Sequence, residues 1–420
     1  MLHTSKNIKD LNISKVSLIN YLGEVVDLSA LFIQINIYES IFNNFISGDI
    51  LINDGVNLLN NFPIICQEKI VISFSNPSLK QQELIFNVIN ISDIKNSINN
   101  DKVQNYVLHF TTKEVIKNRL VNISRRLKGK TDDVLYDLLT QDWSLGYKGN
   151  FKIEKSDSFT DFVVPRWSPL ETINYIVNRS IPENRKFPTY LFYQDFDNYN
   201  IISYDSLLEA DVKETFYYAP ANIPSNYDID EKSKNINQYM VSGYLDLLKI
   251  LDSRLTFNQY LEVDLTSKKM INNQYKYDET FNDISTLYDN SLLPKKNLDN
   301  FDYMSSHKLD TLYNLNLNSD MKKFNKWYLY RQSWLSSLQN IKIKIETTEN
   351  TSRRLGDLIE FNIPSREESK NKMKYSDYIS GKFIISKIRH TIGNDLKGVA
   401  TLEIIKDSFS TKLPEEKMNG

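Results

Sequence analysis

Ile341-Lys342-Ile343-Lys344-Ile345 opens the part of the chain that decides its fold. The period of two sets the isoleucines on one face and the lysines on the other, which is the pattern of a half-buried strand. A turn follows at Arg354-Leu355-Gly356-Asp357, then an apolar run from Leu358 to Pro364, a charged loop, and a long strand pattern from Gly381 to His390. A polar turn at Gly393-Asn394-Asp395 leads to a last strand from Val399 to Lys406. Strands joined by short turns without an intervening helix predict an antiparallel sheet or barrel rather than a parallel nucleotide-binding sheet. Gly356 is expected at positive φ in the turn before its strand.

Working outward, the first 112 residues repeat the pattern. Strands are predicted at Leu31–Tyr38, Asp49–Asn53, Lys69–Phe74, Glu83–Ile91 and Tyr106–Phe110, with turn signals at Ser47-Gly48, Asp54-Gly55, Asn76-Pro77 and Asn99-Asn100-Asp101 between them. An internal echo relates the two ends. Gly48-Asp49-Ile50-Leu51-Ile52 returns as Gly356-Asp357-Leu358-Ile359-Glu360, and strands led by Phe86 and Phe383 each precede an Asn-Asp turn and a closing strand.

Between these ends the pattern changes. Val115, Ile116, Leu120, Ile123 and Leu127 predict a helix over Lys113–Lys128, and Thr131 is placed as N-cap of a helix over Asp132–Gln141. Ser168-Pro169-Leu170-Glu171 is a capping box with proline at the first helical position, so a helix starts at Pro169. Thr189–Tyr193 and Asn200–Tyr204 read as a hairpin. Strand patterns return at Lys213–Ala219 and Phe257–Thr266, residues 272–320 are polar enough for a surface insertion, and a helix over Met321–Leu338 carries Phe324, Trp327, Tyr328, Trp334 and Leu335. The expected class is therefore α+β and mainly β: two related small antiparallel barrels (residues 1–112, and 209–271 with 340–409), an α/β middle domain (113–208), a partly helical insertion (272–339) and a frayed tail (410–420).

The bulk numbers exclude several functions. Lys and Arg number 51 against 53 Asp and Glu, a net charge of −2 without any global pull toward nucleic acid. One cysteine, Cys66, leaves no internal disulfide and no thiolate metal cluster, which fits a reducing cytoplasm as the place of folding. The N-terminus has no apolar signal segment, and the Val16–Ile37 window is broken by polar residues and too interrupted to span a bilayer. Chemistry is equally scarce. Asp195 and Asp197 have the residue type of a glycosidase carboxylate pair, but Asn198 and Asn200 beside them favour a turn. Asp132 and Asp133 suit a helix's first turn better than a metal. His109 and His390 each lie in a strand pattern without a nucleophile motif, and the basic run Arg125-Arg126-Leu127-Lys128-Gly129-Lys130 suits a solvated helix end better than a phosphate contact. No catalytic residue, cofactor site or metal site is expected.

Taken in order, Trp334-Leu335, Ile341–Glu346, Leu355–Phe361, Ile363-Pro364, Ser380–Ile385 and Ile388-Arg389-His390 resemble the last barrel of phage baseplate hub proteins, which group with tail-protein D and the N-terminal half of type VI secretion spike proteins. Ile37–Phe42 with Ser47-Gly48-Asp49 is similar to the first barrel of hubs from contractile-tailed phages, and Trp167–Tyr204 resembles their middle domain. The resemblance marks Gly48, Asp49, Trp334, Gly356, Asp357, Pro364, Gly381 and His390 as structural motif positions and carries no catalytic residue across. It implies a homotrimer whose six barrels join the six-fold tail tube to a three-fold spike around a channel for DNA. The implied partners are the central spike, tail tube or tube-initiator proteins, the tape-measure protein and the baseplate wedge, with DNA only in passage and no membrane insertion. The implied location is the virion tail baseplate. Two other readings stay open: a tail-associated enzyme that degrades cell walls through Asp195 and Asp197, and a host-surface glycan-binding module that displays the aromatics.

Overall fold

A computed structural model describes residues 12–75, 82–97, 100–218, 234–253, 255–264, 268–293, 309–314, 329–350, 352–363, 375–395 and 398–413. The Asn76-Pro77 turn, Phe324, Trp327, Tyr328, Pro364 and the end of the tail lie outside them.

The chain is mainly β. Its first barrel uses β1 (Asn12–Ile19), β2 (Val25–Asp27), β3 (Phe32–Ser40), β4 (Ser47–Asp54), β5 (Lys69–Ser75), β6 (Gln82–Ser97) and β7 (Asn100–Thr111) in the neighbour order β3-β4-β7-β6-β5-β1-β2. The amide of Leu28 donates to the Val16 carbonyl at 2.8 Å where the chain turns from β2 into β3. Alternate residues Ile35, Ile37, Ile50, Ile52, Phe86, Leu108 and Phe110 fill its core.

The middle region holds β8 (Arg126–Lys130), β9 (Asn150–Ile153), β10 (Phe159–Val163), β11 (Tyr190–Gln194) and β12 (Asn198–Ser203). The β11–β12 hairpin and the Ser168 capping box form as the sequence indicates. The expected helix over Lys113–Lys128 stops at Leu120. Val121 turns extended, Ile123 bridges Trp167, and Leu127 enters β8 opposite Phe162, so pairing with β10 overrides the helical spacing. Thr131 is not an N-cap. It is the first residue of its helix, and its hydroxyl donates to the Ser158 carbonyl and meets the Thr160 hydroxyl, which ties the helix to β10.

The second barrel closes with six strands: β13 (Glu214–Tyr218), β14 (Asn235–Tyr244), β18 (Ile341–Thr348), β21 (Gly398–Lys406), β20 (Gly381–Gly393) and β19 (Leu358–Asn362), which pairs back to β13. The strand expected from Phe257 as part of this barrel is instead β15 (Phe257–Asp264), paired with β16 (Lys269–Lys276) and β17 (Leu309–Asn314) in a separate sheet. Its barrel position belongs to β14, whose Asn-Ile-Asn-Gln-Tyr run hides the alternation. The Lys213–Ala219 pattern appears as β13.

Both barrels share one wiring. In the first, neighbours run β1-β5-β6-β7-β4-β3; in the second, β13-β19-β20-β21-β18-β14. The chain visits equivalent places in the same order, and only the first strand reverses direction, β1 lying antiparallel to β5 and β13 parallel to β19. Phe86 and Phe383 therefore lie on equivalent strands, as their echo suggests. The glycine echo is out of step by one strand, because β4 lies beside β7 whereas β19 lies beside β20.

Gly356 has φ of +81°, and a Cβ there would lie 3.0 Å from a Leu207 methyl and 3.1 Å from the Tyr193 hydroxyl. Gly356→Val should therefore lower stability by about 1–3 kcal/mol. A denaturant melt that matches wild type would show the turn to be unstrained by a side chain.

Candidate functional site: the seam between the barrels

The two barrels are one continuous sheet because β3 pairs with β20, from Ser40 opposite Lys387 to Gln34 opposite Gly393. Both strands cross from one core to the other. On β3 and its exit, Ile35 and Ile37 enter the first core and Ile41 the second; on β20, Ile388 enters the second and Ile392 the first. At the crossing the alternation places Glu39 and His390, so a polar pair replaces an apolar one where neither core can cover it.

His390 lies between two carboxylates. Its Nδ1 is 2.9 Å from Glu349 Oε1 and its Nε2 3.0 Å from Glu39 Oε2, and all three side chains are 1 % exposed. Both ring nitrogens donate only as imidazolium. Burial pulls the imidazole down, but the charge and hydrogen bond of Glu349, then those of Glu39, outweigh it and push His390 up to about 10. Burial pushes the Glu39 carboxyl upward, the hydrogen bond from His390 opposes that, and Glu39 Oε1 is buried without a hydrogen-bond partner. Among the described residues no cluster of His, Cys, Asp and Glu is arranged to hold a metal ion.

The β11–β12 turn covers this seam. Phe196 packs on the His390 ring at 4.5 Å and meets Phe74 of the first barrel edge-on at 6.1 Å. Asp195 spends its oxygens on the turn, accepting from the amides of Asp197 and Asn198 and from Asn200 Nδ2. Asp197 pairs with Arg354 at 2.5 Å, in the loop before β19. Asp195 thus shapes the turn, and Asp197 ties the middle region to the second barrel.

The opposite face of the seam is polar and open. Asp49 accepts from Asn36 Nδ2 at 2.7 Å and from the Tyr38 hydroxyl at 2.8 Å, and Asn36 Oδ1 accepts from Arg389 and Thr391 across the ladder. The remaining motif positions are spread out. Gly48 admits the Asn36 carbonyl and Phe110 ring, where a Cβ would lie 2.4 Å from each. Asp357 is held by Lys213 at 2.7 Å and accepts from the Arg354 amide. Burial raises its carboxyl above the usual range, against the pull of Lys213. Gly381, with φ of +122°, leaves room for Tyr288, whose hydroxyl accepts from the Lys382 amide. Trp334 is buried in the second core, 5.3 Å from Tyr204.

Sequence reasoning missed Arg331 and Asp407. Arg331 is buried and donates to the Pro188 and Tyr190 carbonyls and to Asn178, with burial lowering it to about 9. Its place three residues before Trp334 on the buried face was the available signal. Asp407 accepts from Tyr204, the Leu287 amide and Ser408, joining middle region, insertion and barrel.

His390→Gln removes the imidazolium and leaves two buried carboxylates, a loss of about 3 kcal/mol at neutral pH. The His390 contribution is fully present below about 6.5, the unfolded value, and is lost as pH rises through about 10. Glu39, also raised, contributes in the same sense, toward low pH. The stability gap between wild type and H390Q should therefore shrink from neutral pH toward pH 10 in paired melts. A gap that stays constant would mean the imidazolium does not hold the seam.

No family model matches the chain, and no curated protein matches it. Solved structures do. It is similar to a tail protein from Neisseria meningitidis MC58 at 11 % identity, with 95 % of this chain and 99 % of that one covered and a TM-score of 0.55. It is also similar to the 43 kDa tail protein of prophage MuSo2 from Shewanella oneidensis at 10 % identity, with 94 % and 98 % covered and a TM-score of 0.56. Over nearly its whole length, the chain has the fold of these tail proteins.

Proposed function

We propose that the chain is a structural component of a phage tail baseplate, and specifically its central hub. Three copies form a ring of six barrels that joins a six-fold tail tube to a three-fold spike and leaves a channel for DNA. The spike, tail tube or tube-initiator proteins, tape-measure protein and wedge are its neighbours, and the chain acts in the virion tail after synthesis in the host cytoplasm. The observation that carries this reading is the fusion of two identically wired barrels into one sheet. A rigid pair of like units is what converts three-fold into six-fold repetition. The fold shared with the two tail proteins supports the same reading. So does the fixed use of Asp195 and Asp197 within a turn and an ion pair, which leaves no free carboxylate pair there for hydrolysis.

We divide the chain accordingly into a first barrel at 1–112, a middle domain at 113–208, a second barrel drawn from 209–244 and 340–409, and between its two parts an insertion that carries the β15–β17 sheet. Light scattering of the purified chain, alone and with its spike, should give three times the 49.1 kDa chain mass in at least one sample. A strict monomer in both would overturn the hub reading.

A further inference from the structure

The shared wiring of the barrels says which strands meet between copies. The seam within the chain joins β3 of the first barrel to β20 of the second. The equivalent of β3 is β14, and the equivalent of β20 is β6. We propose that β14 of one copy adds to the free edge of β6 of the next, antiparallel, and so repeats between chains the step already made within one. The partner is a second copy of this chain, and the number of copies rests on the ring proposed above.

Backbone pairing leaves both edges ready. β20 pairs with β19 through Gly381–Ile384, passes a bulge at Ser386, and from Lys387 turns its edge to β3. β6 repeats this: it pairs with β5 through Gln82–Asn87 and passes a bulge at Ile89. From Asn90 onward its only ladder among the described residues is to β7. β14 touches β13 at Asn235 and Ile236 alone, and from Gln238 to Tyr244 its only described ladder is to β18. Unpaired edges of this length are normally capped or charged.

The free stretch of β14 carries no charged side chain, and that of β6 carries only the exposed Asp93 and Lys95, which lie 4.0 Å apart and offset each other. β6 exposes Ile85, Ile89 and Ile94, and β14 exposes Met240, Val241 and Tyr244. No other strand of either barrel exposes more than one large apolar side chain among the described residues. The apolar surface therefore lies on the two strands that the internal repeat selects.

The facing stretches follow. Ile37 lies opposite Gly48, and Val241 opposite Ile343, at equivalent places, so Val241 takes the position of Ile37. His390, the partner of Ile37, lies four residues past its bulge, as Asp93 does. At Asp93 and Ile94 the ladder to β7 slips again, between Ser92 and Lys95, so this stretch of β6, with Ile94 54 % exposed, faces Val241 and Met240, the latter 52 % exposed, without a fixed one-to-one pairing. A contact that uses different strands on its two sides is head-to-tail, the kind that builds a ring.

The test uses full-length chains in a Cys66→Ser background. Chains carrying Ile94→Cys are mixed with chains carrying Met240→Cys and oxidised, so that any disulfide joins two copies. The expected product is a band at twice the chain mass, and Met240→Lys should shift the assembly from trimer to monomer with its thermal melt unchanged. Tyr239→Cys and Val241→Cys partners read the register, since a product with either, in place of Met240→Cys, keeps the edges and moves the register by one residue. A wild-type trimer that gives none of these products, and that survives Met240→Lys, overturns the edge assignment and leaves the hub reading standing. A wild-type monomer, alone and with the spike, overturns both.

Discussion

The β3–β20 ladder is the constraint on which the rest of the molecule depends. It runs over seven facing pairs and makes two barrels into one sheet, so their relative orientation is set by backbone hydrogen bonds rather than by a flexible linker. β20 runs past β19 into this ladder, and β3 offers it the edge that does not face β4. The price is a point between two cores that apolar side chains cannot fill. Glu39, Glu349 and His390 occupy it, and a buried charge cluster of this kind contributes little net stability compared with a well-packed apolar patch. Its effect is selective: each ring nitrogen faces its own carboxylate, so a ladder slipped by one residue would strand a charge in the interior.

Other buried polar groups extend the same logic. Phe196 at the tip of the β11–β12 hairpin sits on the His390 ring, and Asp197 reaches Arg354 in the second barrel. Arg331 spends its guanidinium on carbonyls of the middle region, and Asp407 gathers Tyr204 and the Leu287 amide. Each of these clamps joins segments more than a hundred residues apart. The middle region is thereby fastened to both barrels and acts as a brace across their seam.

Much of this architecture was legible in the sequence. Period-two runs such as Ile341–Ile345 and the Ser168 capping box are local signals, and the structure forms them where the residues say. β14 was not legible, because its Asn, Gln, Ser and Gly residues break the alternation and its outer face carries Met240 where a polar residue would have marked it. Lys113–Lys128 misled for the opposite reason: helical spacing persists past Leu120, but Leu127 is claimed by β10. The Gly48–Gly356 echo matched two turns with different needs, close approach at the first and positive φ at the second. His390 was visible as a strand histidine. Its role was not, because Glu39 is 351 residues away and Glu349 41 away, and neither separation leaves a motif.

The two kinds of edge in this molecule differ in a way that separates folding from assembly. Where β3 meets β20 the chain always finds its partner, since both strands belong to it, and a costly buried charge cluster is tolerable because the local concentration of the partner is fixed by the chain itself. In the contact proposed at β6 and β14 the partner would arrive by diffusion. There a buried charge would stand desolvated and unpaired in every misaligned encounter, whereas Ile94 and Met240 lose little when misaligned and gain steadily as contact improves. Under the proposed contact, the same barrel-to-barrel step is built from a buried charge cluster where it happens once, during folding, and mainly from apolar contact, with Asp93 and Lys95 beside it, where separate chains would have to find it.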